Sequence, residues 1–151
     1  MIRPEYLIRN RDKYNLRILP QLVVLGAESS LGDPFMGGPL TSEGFNFGCI
    51  KWRSANEENA VWTSLSNGQM ERRGVLWFTF PTPEIGMEAW GRYIATVQKG
   101  YVKSLMNAEK WPEFAAIYYG AFVPGLTEYV QNLQQLAERF KARAEEAGWD
   151  I

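Results

Sequence analysis

The sequence predicts a mainly α-helical (α+β) domain carrying one small β-hairpin lobe. Three observations predict it. Apolar residues recur at helical spacing over about 20–31, 84–105 and 127–147. Between about 51 and 80 the rhythm changes to short β-branched and aromatic runs around an Asn-Gly turn signal. With 151 residues, 46% of them apolar, the chain can bury one sizeable core and is too short for two ordinary domains, so 1–151 is expected to form one unit.

Taken in order, about 4–16 mixes Tyr6, Leu7, Tyr14 and Leu16 with charged residues, as a short amphipathic helix does. Pro20 suits the first residue of a second helix, about 20–31. That helix is apolar on nearly every side (Leu22, Val23, Val24, Leu25, Ala27) and is therefore expected to be buried. Residues 32–48 are rich in Gly, Pro, Ser and Thr and predict a loop long enough to suspect of function. The hairpin is expected to pair 61–65 with 75–80, with Ser66-Asn67-Gly68 as its turn and an irregular start near 71–74. One helix follows over about 84–105, a short one over 112–119, a loop over 120–125, and a last helix over 127–147 stopped by Gly148. That last helix places Tyr129, Val130, Leu133, Leu136 and Phe140 on one stripe.

Composition removes several kinds of function. Sixteen basic and seventeen acidic residues give a net charge of −1, which speaks against a nucleic-acid binder held by a basic face. The absence of histidine excludes His-ligated zinc, Ser-His-Asp triads and Cys-His dyads. Cys49 stands alone and has no partner for an internal disulfide. Asp33 and Glu43 are too isolated to suggest a metal site, so neither metal nor cofactor is expected. Chemistry at neutral pH then falls to carboxylates. Glu28 draws attention because it lies near the C-terminal end of a buried helix, where the helix dipole disfavours a negative charge and apolar surroundings raise a carboxyl pKa.

Around Glu28 several short motifs follow one another in a recognisable order. Pro-Gln-Leu-Val-Val-Leu-Gly-Ala-Glu-Ser-Ser-Leu-Gly (20–32) resembles the helix ending in Glu-Ser in glycoside hydrolase family 73, the bacterial cell-wall N-acetylglucosaminidases of the lysozyme-like superfamily. Asn-Phe-Gly-Cys-Ile-Lys-Trp (46–52) resembles that family's Asn-Leu-Phe-Gly-Ile-Lys signature, shortened and altered. Residues 77–90 resemble its strand-to-helix segment after the hairpin, and Tyr-Tyr-Gly-Ala-Phe-Val-Pro-Gly-Leu-Thr-Glu-Tyr-Val (118–130) its tyrosine loop and closing helix. The same order occurs more loosely in lytic transglycosylases. The resemblance spans about 14–140.

The resemblance implies a lysozyme-like domain that cleaves β-1,4 bonds in the glycan strands of peptidoglycan, with Glu28 as general acid. The family's second acid lies in the β-lobe; the candidates here are Glu57, Glu58 and Glu71, and the expected first strand has no carboxylate. Tyr118 or Tyr119 would match the tyrosine that stabilises positive charge developing on the sugar ring. Ser29, Asn46, Phe47, Gly48 and Ile50 would border the groove, with the Gly48 backbone close to a sugar N-acetyl group. Trp52, Trp62 and Trp77 form either a stacking wall or the lobe's own small core.

No signal peptide is evident at the N-terminus and no apolar stretch is long enough to enter a membrane. The expected setting is a protein made in the cytosol, delivered to the bacterial wall by a phage or prophage, as an endolysin or on the virion. The expected partner is the glycan strand, with no nucleic acid and no membrane insertion. The alternatives are a lytic transglycosylase or muramidase on the same fold, or a glycan- or partner-binding module that cleaves nothing.

Overall fold

The structure is a computed structural model that describes the backbone of residues 1–151 and the side chains of 1–33 and 38–151. It is mainly helical, with one two-stranded antiparallel sheet among the described residues. Helix α1 (Pro4–Tyr14) starts on a proline, which gives up no helical hydrogen bond at that position, and ends at Asn15 in the left-handed conformation. Helix α2 (Ile18–Ser29) begins two residues before Pro20 and is the centre of the molecule, with Leu19, Val23, Val24 and Leu25 buried. Its burial on several sides follows from its apolar circumference.

Helix α8 (Leu126–Ala147) lies along α2 and stops at Gly148, as the sequence predicts. Gly26 makes the approach close, because a Cβ there would touch Leu136 and Phe140 at 3.5 and 3.6 Å. Helix α5 (Pro83–Thr96) starts from Thr82, whose hydroxyl accepts the Ile85 N–H, and buries Met87, Ala89, Trp90 and Ile94.

Three expectations need correction. The stretch 32–48 contains helix α3 (Pro34–Ser42), bent at Gly38 where φ is 66°; the side chains of 34–37 lie outside the described residues. The helix over 84–105 is broken. Gln98, Lys99 and Gly100 take positive φ, and a new helix, α6 (Tyr101–Asn107), begins. The apolar spacing runs across the break, but Tyr101 is exposed and Val102, Leu105 and Met106 point inward instead. The segment 61–65 is helical: α4 (Ala60–Thr63) replaces the expected first strand. Asn56 and Asn59 explain why. Each side-chain oxygen accepts the other's backbone N–H, at 2.9 and 2.8 Å, and this reciprocal pair starts a helical turn that overrides the β-propensity of Val61 and Trp62.

The hairpin is therefore formed one step later, by β1 (Gly68–Arg72) and β2 (Val75–Thr79). Its turn is Arg73-Gly74, with φ of 53° and 78°, the pair of positive values a two-residue hairpin turn requires. Asn67-Gly68 opens β1 instead, tied to the far strand by Thr79 Oγ1 donating to Asn67 Oδ1 at 2.9 Å. Trp62 fastens the lobe to the helices, packing edge-on against Phe78 at 5.3 Å and Tyr93 at 5.1 Å. The other closing elements are α7 (Trp111–Ala115) and a π-helical turn over Ala116–Gly120, where the sequence suggests one short helix. Among the described residues no helix is long and apolar enough to cross a membrane.

An ion cluster joins α1 to α5. Glu88 accepts from Lys13 Nζ at 2.6 Å, from Arg92 Nε at 3.0 Å and from the Tyr14 hydroxyl. Burial alone would raise the Glu88 pKa; the donors from Lys13, Tyr14 and Arg92 outweigh it and hold the carboxyl down at about 2. A lowered carboxyl pKa stabilises the fold above the unfolded-state value, and that stability is lost as pH falls toward the folded value. Acid unfolding is thus expected to steepen from about pH 4.5 down to about 2, and Glu88→Gln to flatten that part of the profile in a thermal melt series.

Candidate active site

Glu28 occupies the last turn of α2, just before Ser30 closes the helix in the left-handed conformation. Three elements converge on it. From the loop after α3, Cys49 sits at φ 51° and its thiol reaches the Glu28 carbonyl at 3.5 Å. From α8, the Tyr129 hydroxyl donates to Glu28 Oε1 at 2.5 Å. From the π-helical turn, Tyr119 stacks on Tyr129 with centroids 4.5 Å apart and planes 18° from parallel. Tyr119 is itself held by its hydroxyl donating to the Pro124 carbonyl at 2.8 Å.

Glu28 keeps partial contact with solvent as a residue, while its carboxyl is enclosed. Burial raises its pKa, and the donors from Tyr129 and Cys49 only partly oppose the rise. No cation pairs with it among the described residues. Burial thus favours the protonated form of Glu28 relative to a free glutamate. Cys49 is not a nucleophile in this setting: burial, and then the Glu28 charge, push its thiol pKa up, so it stays protonated.

Tyr129 was legible only as one residue of an apolar stripe. The available signal was its hydroxyl, since a tyrosine on a buried stripe needs a partner for its polar tip. Tyr129→Phe removes the donor that favours the ionised form of Glu28, so the Glu28 pKa is expected to rise further. If Glu28 is the acid of a reaction, the alkaline limb of its pH–rate profile then moves to higher pH.

Two cavities adjoin beside Cys49 and Tyr119; Glu28 and Tyr129 are not among their lining residues. The inner one, about 200 Å³, is lined by Gly48, Cys49, Tyr118 and Tyr119 among others; the outer, about 290 Å³, by Asn56, Glu58, Trp62 and Gln98 among others. Both are bordered by Arg53, Tyr93 and Ile117, which makes them parts of one groove. Glu58 is the one carboxylate among their lining residues.

The sequence-predicted residues divide accordingly. Tyr118 and Tyr119 both line the inner cavity and both hydroxyls are engaged, Tyr119 donating to Pro124 as above and Tyr118 donating to the Gly48 carbonyl at 2.5 Å and accepting from Trp90 Nε1 at 3.2 Å. Gly48 borders the cavity, yet the space above its Cα is filled by Trp90 rather than left for a sugar. Ile50 lines the cavity and is itself buried.

Ser29 is turned away from the groove. It is buried, donates to the Leu25 carbonyl at 3.0 Å and accepts the Gly32 N–H at 3.2 Å, capping the helix end. Asn46 is buried as a clamp: its amide donates to the Ile50 and Phe78 carbonyls at 2.9 Å each and its oxygen accepts the Ile50 N–H. Phe47 and Trp62 belong to the core. Trp52 is partly exposed and borders a neighbouring depression of about 360 Å³ with Arg53 and Phe78. Trp77 lies on the hairpin's other side, beside Arg72 and Arg73. Glu71 is exposed near the hairpin tip, where its carboxylate accepts the Gly74 N–H, and Glu57 is exposed in the 53–59 segment.

No protein-family model matches the chain, and no curated protein or solved structure is similar enough to it to mark a relationship.

Proposed function

We propose that the chain is a glycosidase acting on β-1,4 bonds of peptidoglycan glycan strands, of the N-acetylglucosaminidase kind, with Glu28 as general acid. What supports this reading is the buried Glu28 carboxyl, paired with no cation among the described residues; Glu28 does not itself line the groove and meets it through Cys49, which touches its carbonyl, and Tyr119, which stacks on the Glu28 donor Tyr129. The motif order around Glu28 supports it. In this reading Glu28 gives its proton to the glycosidic oxygen as the bond to the anomeric carbon breaks. Tyr119, in the inner cavity, faces the ring on which positive charge develops. Tyr129 holds the acid in place by donating its hydroxyl to Oε1.

The second carboxylate decides the rest of the mechanism. Inverting hydrolysis places a base roughly 6.5–9.5 Å from the acid, with a water between them. Glu71 is engaged at the hairpin tip, which leaves Glu58, at the outer cavity, as the groove's candidate. That same scarcity of carboxylates favours a second reading, a lytic transglycosylase. There Glu28 first protonates the leaving oxygen and then, as carboxylate, accepts the proton of the muramyl 6-hydroxyl, whose oxygen closes on the anomeric carbon. No water is consumed, and the product is a 1,6-anhydro sugar.

Delivery to the wall by a phage or prophage remains the setting this reading implies. Mass spectrometry of digested peptidoglycan tests the proposal. Reducing N-acetylglucosamine ends are the expected result. Anhydro ends, lighter by one water, would replace the first mechanism with the second, and reducing muramic acid ends would assign a muramidase. Binding without any released fragment would overturn catalysis in favour of a glycan-binding module.

A further inference from the structure

Arg53 is an exposed arginine that borders both cavities of the groove. Arg9, Arg17 and Arg92 each lie within ion-pair distance of a carboxylate: Glu84 and Glu88, Glu109, and Glu88 respectively. Arg53 has no such partner among the described residues, and neither do Arg3, Arg72, Arg73, Arg139 and Arg143, none of which borders the groove. The Arg53 guanidinium nevertheless has a defined place. It lies over the Trp62 ring, with Cζ 5.8 Å from the ring centroid, and it interacts with the hydroxyl of Tyr93. Trp62 is buried in the core, so the aromatic base beneath the guanidinium is fixed.

Arg53 also stands where the two cavities of the groove meet. Lys51, which lines the inner cavity as well, lies over the Trp77 ring at 5.9 Å and likewise has no carboxylate partner among the described residues. Of the two cations Arg53 is the one at the junction of the cavities, since the Lys51 ammonium lies toward Trp77 on the hairpin's other side. A guanidinium held by aromatic contacts on one side presents its remaining N–H fork outward, in the planar geometry that suits a carboxylate.

We infer that Arg53 is the specificity-determining residue of the groove and binds a carboxylate carried by the glycan. The groove then selects a carboxylate-bearing amino-sugar polymer over a neutral one such as chitin. The inference rests on the glycosidase reading only for the kind of polymer offered; the binding itself is measurable without turnover. The carboxylate has two possible sources, a lactyl ether on the sugar or the peptide attached to it, and the test separates them.

The full chain carrying Glu28→Gln is titrated, with tryptophan fluorescence or NMR shifts as readout, against four sugars. They are a muramyl disaccharide with its free lactyl carboxylate, the methyl ester of that disaccharide, a peptide-bearing muramyl disaccharide, and a chitin tetrasaccharide. One of the two carboxylate forms is expected to bind about 10-fold more tightly than the neutral sugars, the scale of a charge-assisted hydrogen bond at a partly exposed site. Added salt should erode that preference. Arg53→Gln is expected to abolish it, and Arg53→Lys, which keeps the charge but loses the fork, to restore part of it.

Preference confined to the free lactyl acid, or to the peptide-bearing sugar, identifies the source and supports the inference. No preference in the parent, or an unchanged preference in Arg53→Gln, overturns it. The two readings fail separately. Wall cleavage by the wild-type chain with an Arg53-independent charge preference would remove this inference and leave the glycosidase. Arg53-dependent binding with no cleavage would do the reverse.

Discussion

Glu28→Gln is expected to lower the release of soluble fragments from purified cell walls by about 10²–10⁴-fold or more, the usual contribution of a general acid. The substitution is nearly isosteric, and the glutamine oxygen can still accept the Tyr129 hydroxyl that now bonds to Oε1. The fold should therefore persist. Indeed the variant should be at least as stable as the parent near neutral pH. A carboxyl whose folded pKa is raised by burial favours the fold below its unfolded pKa, and that contribution is lost as pH rises through the folded value. An amide has no such dependence, so the variant's thermal midpoint should fall less as pH rises above about 4.5. Undiminished fragment release from a folded variant would remove Glu28 from the mechanism.

Gly48→Ala should be the most damaging single methyl near the site. The backbone at Gly48 does not need a positive φ; what requires glycine is the approach of Trp90. A Cβ there would lie 2.0 Å from Trp90 Cδ1, 2.4 Å from its Nε1 and 2.9 Å from the Tyr118 hydroxyl oxygen. Trp90 is fully buried and cannot step aside without disturbing the core. A loss of about 1–3 kcal/mol follows from overpacking of this kind, with a fall in Tm of about 2–12 °C for a domain of this size. Calorimetry reads the shift, and the Tyr118 hydroxyl, which bridges the Gly48 carbonyl and Trp90, would lose its geometry with it. An unshifted Tm would mean that Trp90 is less firmly seated than its packing indicates.

Helix α8 and the second strand were legible because strong local signals agreed there: a long amphipathic stripe ended by Gly148, and the run from Val75 to Thr79. The errors lie where a local polar device outvotes hydrophobic pattern. Asn56 and Asn59 convert an apparent strand into α4, and Arg73-Gly74 rather than Asn67-Gly68 forms the tight turn. Both signals are short, and apolar runs of four or five residues do not distinguish helix from strand.

At the site, Glu28 stood out because a carboxylate at the end of a buried helix conflicts with its surroundings. Tyr129 and Arg53 did not stand out, because what makes them notable is three-dimensional. One reaches Glu28 from the far helix, and the other rests on a tryptophan where two cavities meet. Ser29, Asn46 and Phe47 illustrate the opposite case. Their neighbours in sequence suggest a groove, while their side chains close the helix end, clamp the loop to β2 and fill the core.

The central claim is that burial keeps a proton on Glu28, and its titration tests that claim without any substrate. Carbon-13 NMR of the glutamate side-chain carboxyls, with Glu28→Gln to assign the resonance, follows one group across pH. A midpoint clearly above the ordinary glutamate value of 4.5, moving higher again in Tyr129→Phe, is the expected result. A midpoint at or below that value would contradict the account, since the carboxyl would then be fully ionised at neutral pH with no hydrogen to give.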